Sequence, residues 1–217
     1  MEITKSTGDS RIERKKEETK QKIINVAMNL FKNLGVEGTT MEQIANEVDI
    51  AKGTLYNYFS VKEAIISEYI RRTFQEKSSV RIIQLRQMPD TRTRMIFILS
   101  ELMEGIQSQK EIFEKYLTYQ IQNMISLRRD AVPKSGFEML GIEIIELGQK
   151  SGEIRDDLPL EILKAFFDFV FVEVAQQFYV DPEKFNTPEV IEQCVNLFLN
   201  GAKKQSGISV PDNPNFL

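Results

Sequence analysis

The chain of 217 residues contains no histidine, no tryptophan and a single cysteine. Without histidine there are no Ser/His or Cys/His triads, no histidine general base and no zinc site of the Cys/His type. Cys194 cannot form an internal disulfide, and its place in the apolar stripe VIEQCVNLFL points to packing rather than redox sensing. No run of about 18 apolar residues is present and the N-terminus lacks the apolar core of a signal peptide, so no membrane partner is expected and the expected location is cytoplasmic. There is no Walker loop and no dinucleotide fingerprint. An enzyme would have to work with carboxylates alone, and no acidic pair stands apart from ordinary helix-surface charge. No catalytic residue, metal site or cofactor is therefore expected.

A strong excess of one charge is also missing. The formal charge of −4 and pI of about 5.2 argue against a general nucleic-acid binder. The balance is uneven, however: residues 1–62 hold 10 Lys or Arg against 9 acidic residues, and the remainder holds 18 against 23. Lys15, Lys16, Lys20 and Lys22 precede or open the first helix, where phosphate attraction would be local. The run RIERKKEETK reads first as a solvated helix face, with DNA contact by the arm as the second reading.

Residues 39–66, TTMEQIANEVDIAKGTLYNYFSVKEAII, read as two short amphipathic helices joined by a tight turn. Met41, Ile44, Ala45 and Val48 share one face at i, i+3, i+4 and i+7, which makes it a core face. Thr40 and Gln43 have the spacing of a capping box, which places the helix start. Asp49 tolerates the left-handed conformation of a sharp interhelical turn, though glycine would adopt it at lower steric cost. Ile50, Leu55, Tyr58 and Phe59 return to the core, and Ala45 is small where the second helix crosses. Lys52, Gly53, Thr54, Tyr56 and Asn57 are left facing outward, a small and hydrogen-bonding set suited to a major groove. Tyr56 and Lys62 read as phosphate contacts, while Thr54, Asn57 and the backbone around Gly53 read bases. With Thr40 and Tyr58, these complete the expected DNA-binding set.

The stretch TMEQIANEVDIAKGTLYNYFSVKEAI resembles the signature of the tetracycline-repressor-like (TetR) family of bacterial transcriptional regulators. The likeness extends over about residues 18–66, including TKQKIINVAMNLFKNLG, in which Ile23, Ala27, Leu30 and Leu34 form a stripe and Gly35 ends the helix. It implies a three-helix DNA-binding head, an all-helical ligand-binding body and a homodimer that grips a palindromic operator until an inducer lowers its affinity. Two positions depart from the pattern: Asp49 where glycine is usual, and Ala51 where a capping Ser or Thr is usual. An alanine cap costs about 1 kcal/mol, and Asp49 adds negative charge near DNA.

The expected fold is all-α with about nine helices. A flexible N-terminal arm (1–17), the helix-turn-helix head (18–62), a helical effector-binding and dimerisation body (63–205) and a flexible tail (206–217) follow one another. Body helices are expected over 61–79, 92–107, 111–128, 134–149, 159–179 and 187–203, with breaks at Met88–Asp90, Ala131–Pro133, Ser151–Gly152 and Asp181–Pro182. Ile65, Tyr69 and Phe74 are expected to turn inward on the first of these. In LEILKAFFDFVFVEVAQQFY apolar residues occupy nearly the whole circumference, so one side must meet something besides the chain's own core. Phe169, Glu173, Val190, Cys194, Leu197 and Phe198 are the expected dimer interface, in line with the four-helix interface that the resemblance implies.

The resemblance also implies an effector pocket. Its expected lining is Met95, Leu99, Met103, Phe113, Tyr116, Tyr119, Gln120, Phe137 and Phe166, an adaptable apolar set with a few polar handles. With few obvious buried charges, it favours a small lipophilic effector. The combined reading is a homodimeric repressor of double-stranded DNA; the alternative is a helical small-molecule carrier or interaction module whose head does not regulate transcription.

Overall fold

A computed structural model describes residues 7–125 and 136–202. Those residues form nine α-helices and no β-strand: α1 Thr7–Leu34, α2 Met41–Val48, α3 Lys52–Tyr58, α4 Lys62–Gln87, α5 Thr91–Ser108, α6 Lys110–Ile125, α7 Gly136–Lys150, α8 Leu160–Val180 and α9 Thr187–Ala202. The all-α expectation holds. The expected break at 131–133, the tail at 206–217 and the first six residues of the arm lie outside the described residues. Residues 7–17 of that arm are the first turns of α1, supported by the Arg14–Glu18 pair at 3.5 Å and by Thr19, whose hydroxyl donates to the Lys15 carbonyl at 2.9 Å. Helix α4 runs beyond the expected end near Ser79 to Gln87. A serine pair inside a helix costs only tenths of a kcal/mol per residue, and buried Ser78 and Leu85 hold this part of α4 against its neighbours.

Two compact units are present, and they interleave along the chain. The first comprises Met1–Glu76 with Ile106–Pro133, and so brings α6 together with α1, α2, α3 and the first part of α4. Its core contains Ile23, Ile24, Ala27, Phe31, Val36, Ile44, Ala45, Val48, Leu55 and Phe59. Full burial of one such aliphatic side chain contributes roughly 1.5–3 kcal/mol. On α1 the buried set is Ile23, Ile24, Ala27 and Phe31, whereas Leu34 of the expected stripe is 51% exposed. The helix ends at Gly35, whose φ of +75° closes it in the left-handed region. Ile65 and Phe74 are buried as expected, and Tyr69 is half-buried.

Polar clamps fasten the same unit. Glu68 of α4 is buried and receives Arg71, Arg72 and, from α1, Lys20 at 3.0 Å. Arg72 also reaches Glu17 of α1 at 2.5 Å. These pairs tie α1 to α4 within the unit that carries α2 and α3.

The second unit comprises Lys77–Gly105 with Lys134–Leu217. Helix α8 packs on α7 and on α9, burying Leu163, Phe167, Phe171, Val174 and Phe178. Phe167 meets Phe198 edge-on, with ring centroids 6.0 Å apart. Arg94 closes the end of α4: it is buried, and its guanidinium donates to the carbonyls of Leu85 at 3.0 Å and Met88 at 2.8 Å. Glu153 accepts the Thr91 N–H at 2.6 Å at the start of α5. Gly148 permits this close approach, since a Cβ there would stand 2.7 Å from the Thr91 hydroxyl. Among the described residues, no helix is long and apolar enough to cross a membrane.

Candidate nucleic-acid interface

Helix α2 starts at Thr40, whose hydroxyl accepts the Gln43 N–H at 3.1 Å while the Gln43 side chain accepts the Thr40 N–H at 2.7 Å. Both halves of the capping box are formed, so the start of α2 is fixed by two reciprocal bonds. The helix ends at Asp49, with φ 61° and ψ 53°, the one described non-glycine residue at positive φ. Its N–H and that of Ile50 return to carbonyls in the last turn of α2. Lys22 of α1 donates its ammonium to the Val48 carbonyl at 2.7 Å, closing the same helix end. Helix α3 then begins at Ala51 with no side-chain cap.

The buried anchor of α3 is Leu55, and Phe59 follows it into the core. Lys52, Gly53, Thr54, Tyr56 and Asn57 are exposed and lie on the outward side of the helix, Tyr56 at 45% exposure. Tyr58 is half-buried and Thr40 exposed at the start of α2. Nothing lies within 4 Å of a Cβ built on Gly53, and its backbone is not at positive φ. The fold thus makes no internal demand for glycine there, although glycine inside a helix costs about 1 kcal/mol relative to alanine. A surface left bare at that cost is suited to close approach of an outside partner.

Several cations of the head are engaged. Lys52 pairs with Glu42 of α2 at 3.3 Å, both side chains being exposed, which makes an exchangeable pair worth little in stability. Lys62 is half-buried and donates to the Val36 carbonyl at 2.7 Å. Lys20 is bound to Glu68 and lies 5.7 Å over the Phe59 ring. Lys20 and Lys22, read in the sequence as part of a basic stretch, thus serve internal clamps, while Lys15 and Lys16 are exposed on α1.

The expected effector residues fall into both units. Met95, Leu99 and Met103 are fully buried on α5. Phe113 and Tyr116 are buried on α6 with rings edge-on at 6.2 Å. Tyr119 and Gln120 are half-buried, and the Gln120 amide donates to Ser67 of α4 at 3.2 Å. The side chain of Phe137 lies outside the described residues. Phe166 is corrected: it is 62% exposed, because one residue of helix turns it about 100° from buried Phe167. Among the described residues the buried charged side chains are Glu68 and Arg94.

Among the expected interface residues, Phe169 is 58% and Leu197 78% exposed, Glu173 is exposed, and Val190, Cys194 and Phe198 are half-buried. Phe166 joins Phe169 on the outer face of α8, with Ile162 and Val180 at its ends. Burial, and secondarily the charge of Glu173, push the Cys194 thiol up, which favours its protonated form.

Comparison with known proteins matches residues 23–69 to the model of the bacterial regulatory proteins of the tetR family. The HTH-type transcriptional repressor KstR2 of Rhodococcus jostii is 22% identical over 183 residues, covering 82% of this chain and 88% of that protein. The fold is similar to that of Thermus thermophilus FadR, a transcriptional repressor solved with lauroyl-CoA, with TM-score 0.71, 24% identity, and coverage of 89% of this chain and 100% of that one. Bacillus subtilis FadR, solved with stearoyl-CoA, gives TM-score 0.52 and 17% identity over 83% of this chain and 98% of that one. The matched segment is the one that carries the capping box, the left-handed turn and the outward face of α3. Over residues 23–69 the chain is thus similar to the bacterial regulatory proteins of the tetR family, and over most of its length to transcriptional repressors.

Proposed function

We propose that the chain is a homodimeric repressor that binds a palindromic operator and is released by a small lipophilic effector. The observation that carries the reading is the outward face of α3, where Gly53 is bare without internal cause beside exposed Lys52, Thr54, Tyr56 and Asn57. Thr54, Asn57 and the Gly53 backbone read base edges in the major groove, while Thr40, Lys52, Tyr56, Tyr58 and Lys62 hold phosphates. Residues 18–62 act as the reading head and 63–205 as the body. The exposed apolar strip of Phe166, Phe169 and Leu197 supports self-association through α8 and α9. Two recognition helices about 34–36 Å apart then meet successive major grooves. A chain that acts on chromosomal DNA works in the cytoplasm.

Two of the fold neighbours hold acyl-CoA thioesters, which supports an effector that carries a long acyl chain. A long acyl chain suits the buried Met95, Leu99 and Met103 of α5. Release requires that the effector bind more tightly to a conformation in which the heads are misplaced for DNA.

Fluorescence anisotropy with duplex DNA from upstream of the chain's own gene, beside a scrambled duplex, tests the reading. Specific, salt-sensitive binding lowered by lauroyl-CoA is expected. Gly53→Ala should stabilise the protein by up to about 1 kcal/mol yet weaken specific binding, because its methyl group projects into the contact. Undiminished specific binding by that variant would remove the central argument.

A further inference from the structure

Helix α6 contributes two side chains to the turn that joins α1 to α2. Glu111 accepts the Val36 N–H at 2.7 Å, and both of its oxygens stand 3.6 Å from the place of a Cβ on Gly35. Gly35 is at φ +75°, so glycine supplies the backbone shape that presents Val36 to α6. The Val36 side chain is fully buried, and its backbone groups require partners within the protein. Its N–H has Glu111; its carbonyl accepts the Lys62 ammonium at 2.7 Å.

The next residue, Glu37, pairs with Lys115, one turn along α6 from Glu111. The hydrogen bond from Lys115 is the chief cause that holds the Glu37 carboxyl below its ordinary range, followed by the charges of Lys115 and of Lys62. Lys62 therefore stands near a carboxylate that another cation already holds, and one of its three donors is anchored on a carbonyl.

We infer that Glu111 and Lys115 are positioning residues for Lys62, fixing the Val36–Glu37 segment so that the ammonium stays anchored, off the Glu37 carboxylate and open to a phosphate. This rests on the reading of Lys62 as a phosphate contact. Removal of Glu111 leaves the Val36 N–H buried and unpaired, and the turn must move, taking the anchoring carbonyl with it. Removal of Lys115 leaves Glu37 to draw Lys62 away from DNA. The two α6 residues thus act on DNA affinity through a side chain that neither of them touches.

The test is binding to a mixed-sequence duplex across a salt series, with folding of each variant checked by circular dichroism. Lys62→Met should weaken binding and flatten the salt slope. Glu111→Ala and Lys115→Met should each weaken binding about threefold to tenfold, a coupling of ordinary size for neighbouring groups. Glu111→Gln should retain most of the affinity, because its amide oxygen accepts the same N–H, and Glu37→Gln should restore Lys115→Met. In the Lys62→Met background, Glu111→Ala and Lys115→Met should add nothing. Equal losses with and without Lys62, or failure of Glu37→Gln to restore Lys115→Met, would overturn the inference while leaving Lys62 as a phosphate contact. An unchanged affinity and slope for Lys62→Met would instead overturn the contact itself. If Glu111→Ala does not fold, the Lys115/Glu37 pair carries the test alone.

Discussion

Replacing Glu68 by glutamine should unfasten α4 from α1 in a pH-dependent way. The carboxylate is buried and accepts from Arg71 at 2.7 and 2.8 Å, from Arg72 at 2.9 Å and from Lys20 at 3.0 Å. Burial by itself would raise its pKa, but hydrogen bonds from Arg71, Lys20 and Arg72, together with the charge of Lys20, lower it from 4.5 to about 2. A difference of this size between folded and unfolded chains is worth about 3 kcal/mol; the cations remain partly wetted, which reduces this to about 2 kcal/mol. The folded value lies below the unfolded one, so the contribution is complete above about pH 5.5 and is lost as pH falls through 4.5 towards 2. Urea unfolding followed by far-UV circular dichroism, for wild type and Glu68→Gln, should show a gap of about 2 kcal/mol near neutrality that is more than half closed at about pH 3. The other carboxylates with lowered values, Glu37, Asp90 and Glu153, titrate in both proteins and drop out of the comparison. A gap of the same size at both pH values, or no gap at neutrality, would refute the electrostatic account of this clamp.

Three further outcomes are expected. Asp49→Gly should raise stability by up to about 1 kcal/mol, because φ 61° costs glycine less than it costs aspartate, and should tighten DNA binding by removing a carboxylate beside α3; thermal unfolding and anisotropy check the two effects separately. Gly148→Ala should destabilise by roughly 1–3 kcal/mol, since its Cβ would meet the Thr91 hydroxyl at 2.7 Å and Ile154 at 2.8 Å, whereas Gly201→Ala, with nothing within 4 Å, should be neutral or stabilising in the same melt. If the chain pairs through α8 and α9 as proposed, Leu197→Glu should shift it to monomer in sedimentation velocity without lowering its helix content, because the side chain is 78% exposed in one chain; an unchanged assembly state would count against α9 as part of that surface.

The head was legible in the sequence because its determinants are local. Thr40 and Gln43 are three residues apart, Asp49 adjoins the helix it ends, and the buried Ile44, Ala45 and Val48 share a face dictated by helical periodicity alone. What could not be read depends on residues distant in the chain. Lys22 and Val48, and likewise Val36 and Lys62, are 26 positions apart, and Glu111 lies 75 from Val36. Nothing in the composition of α6 marks it as a companion of the head. Phe166 escapes the sequence for a different reason: α8 is apolar almost all round, so periodicity cannot say which phenylalanines face inward until α7 and α9 are in place.

Counting cations misleads for this chain in an instructive way. Residues 1–62 carry a net charge of only +1, and Lys20, Lys22 and Lys62 are all bound within the first unit. An anchored lysine nevertheless keeps its charge, and Lys62 keeps donors beyond the one given to Val36. Fixing its stem beforehand removes up to about 2 kcal/mol of rotamer entropy that a free lysine would lose on meeting a phosphate. A few held cations can therefore place the head on DNA where many loose ones would only attract it. The salt dependence of binding should then follow these individual residues, with Lys52 and Lys62 each contributing about one unit of slope per subunit, rather than the overall charge, which is negative.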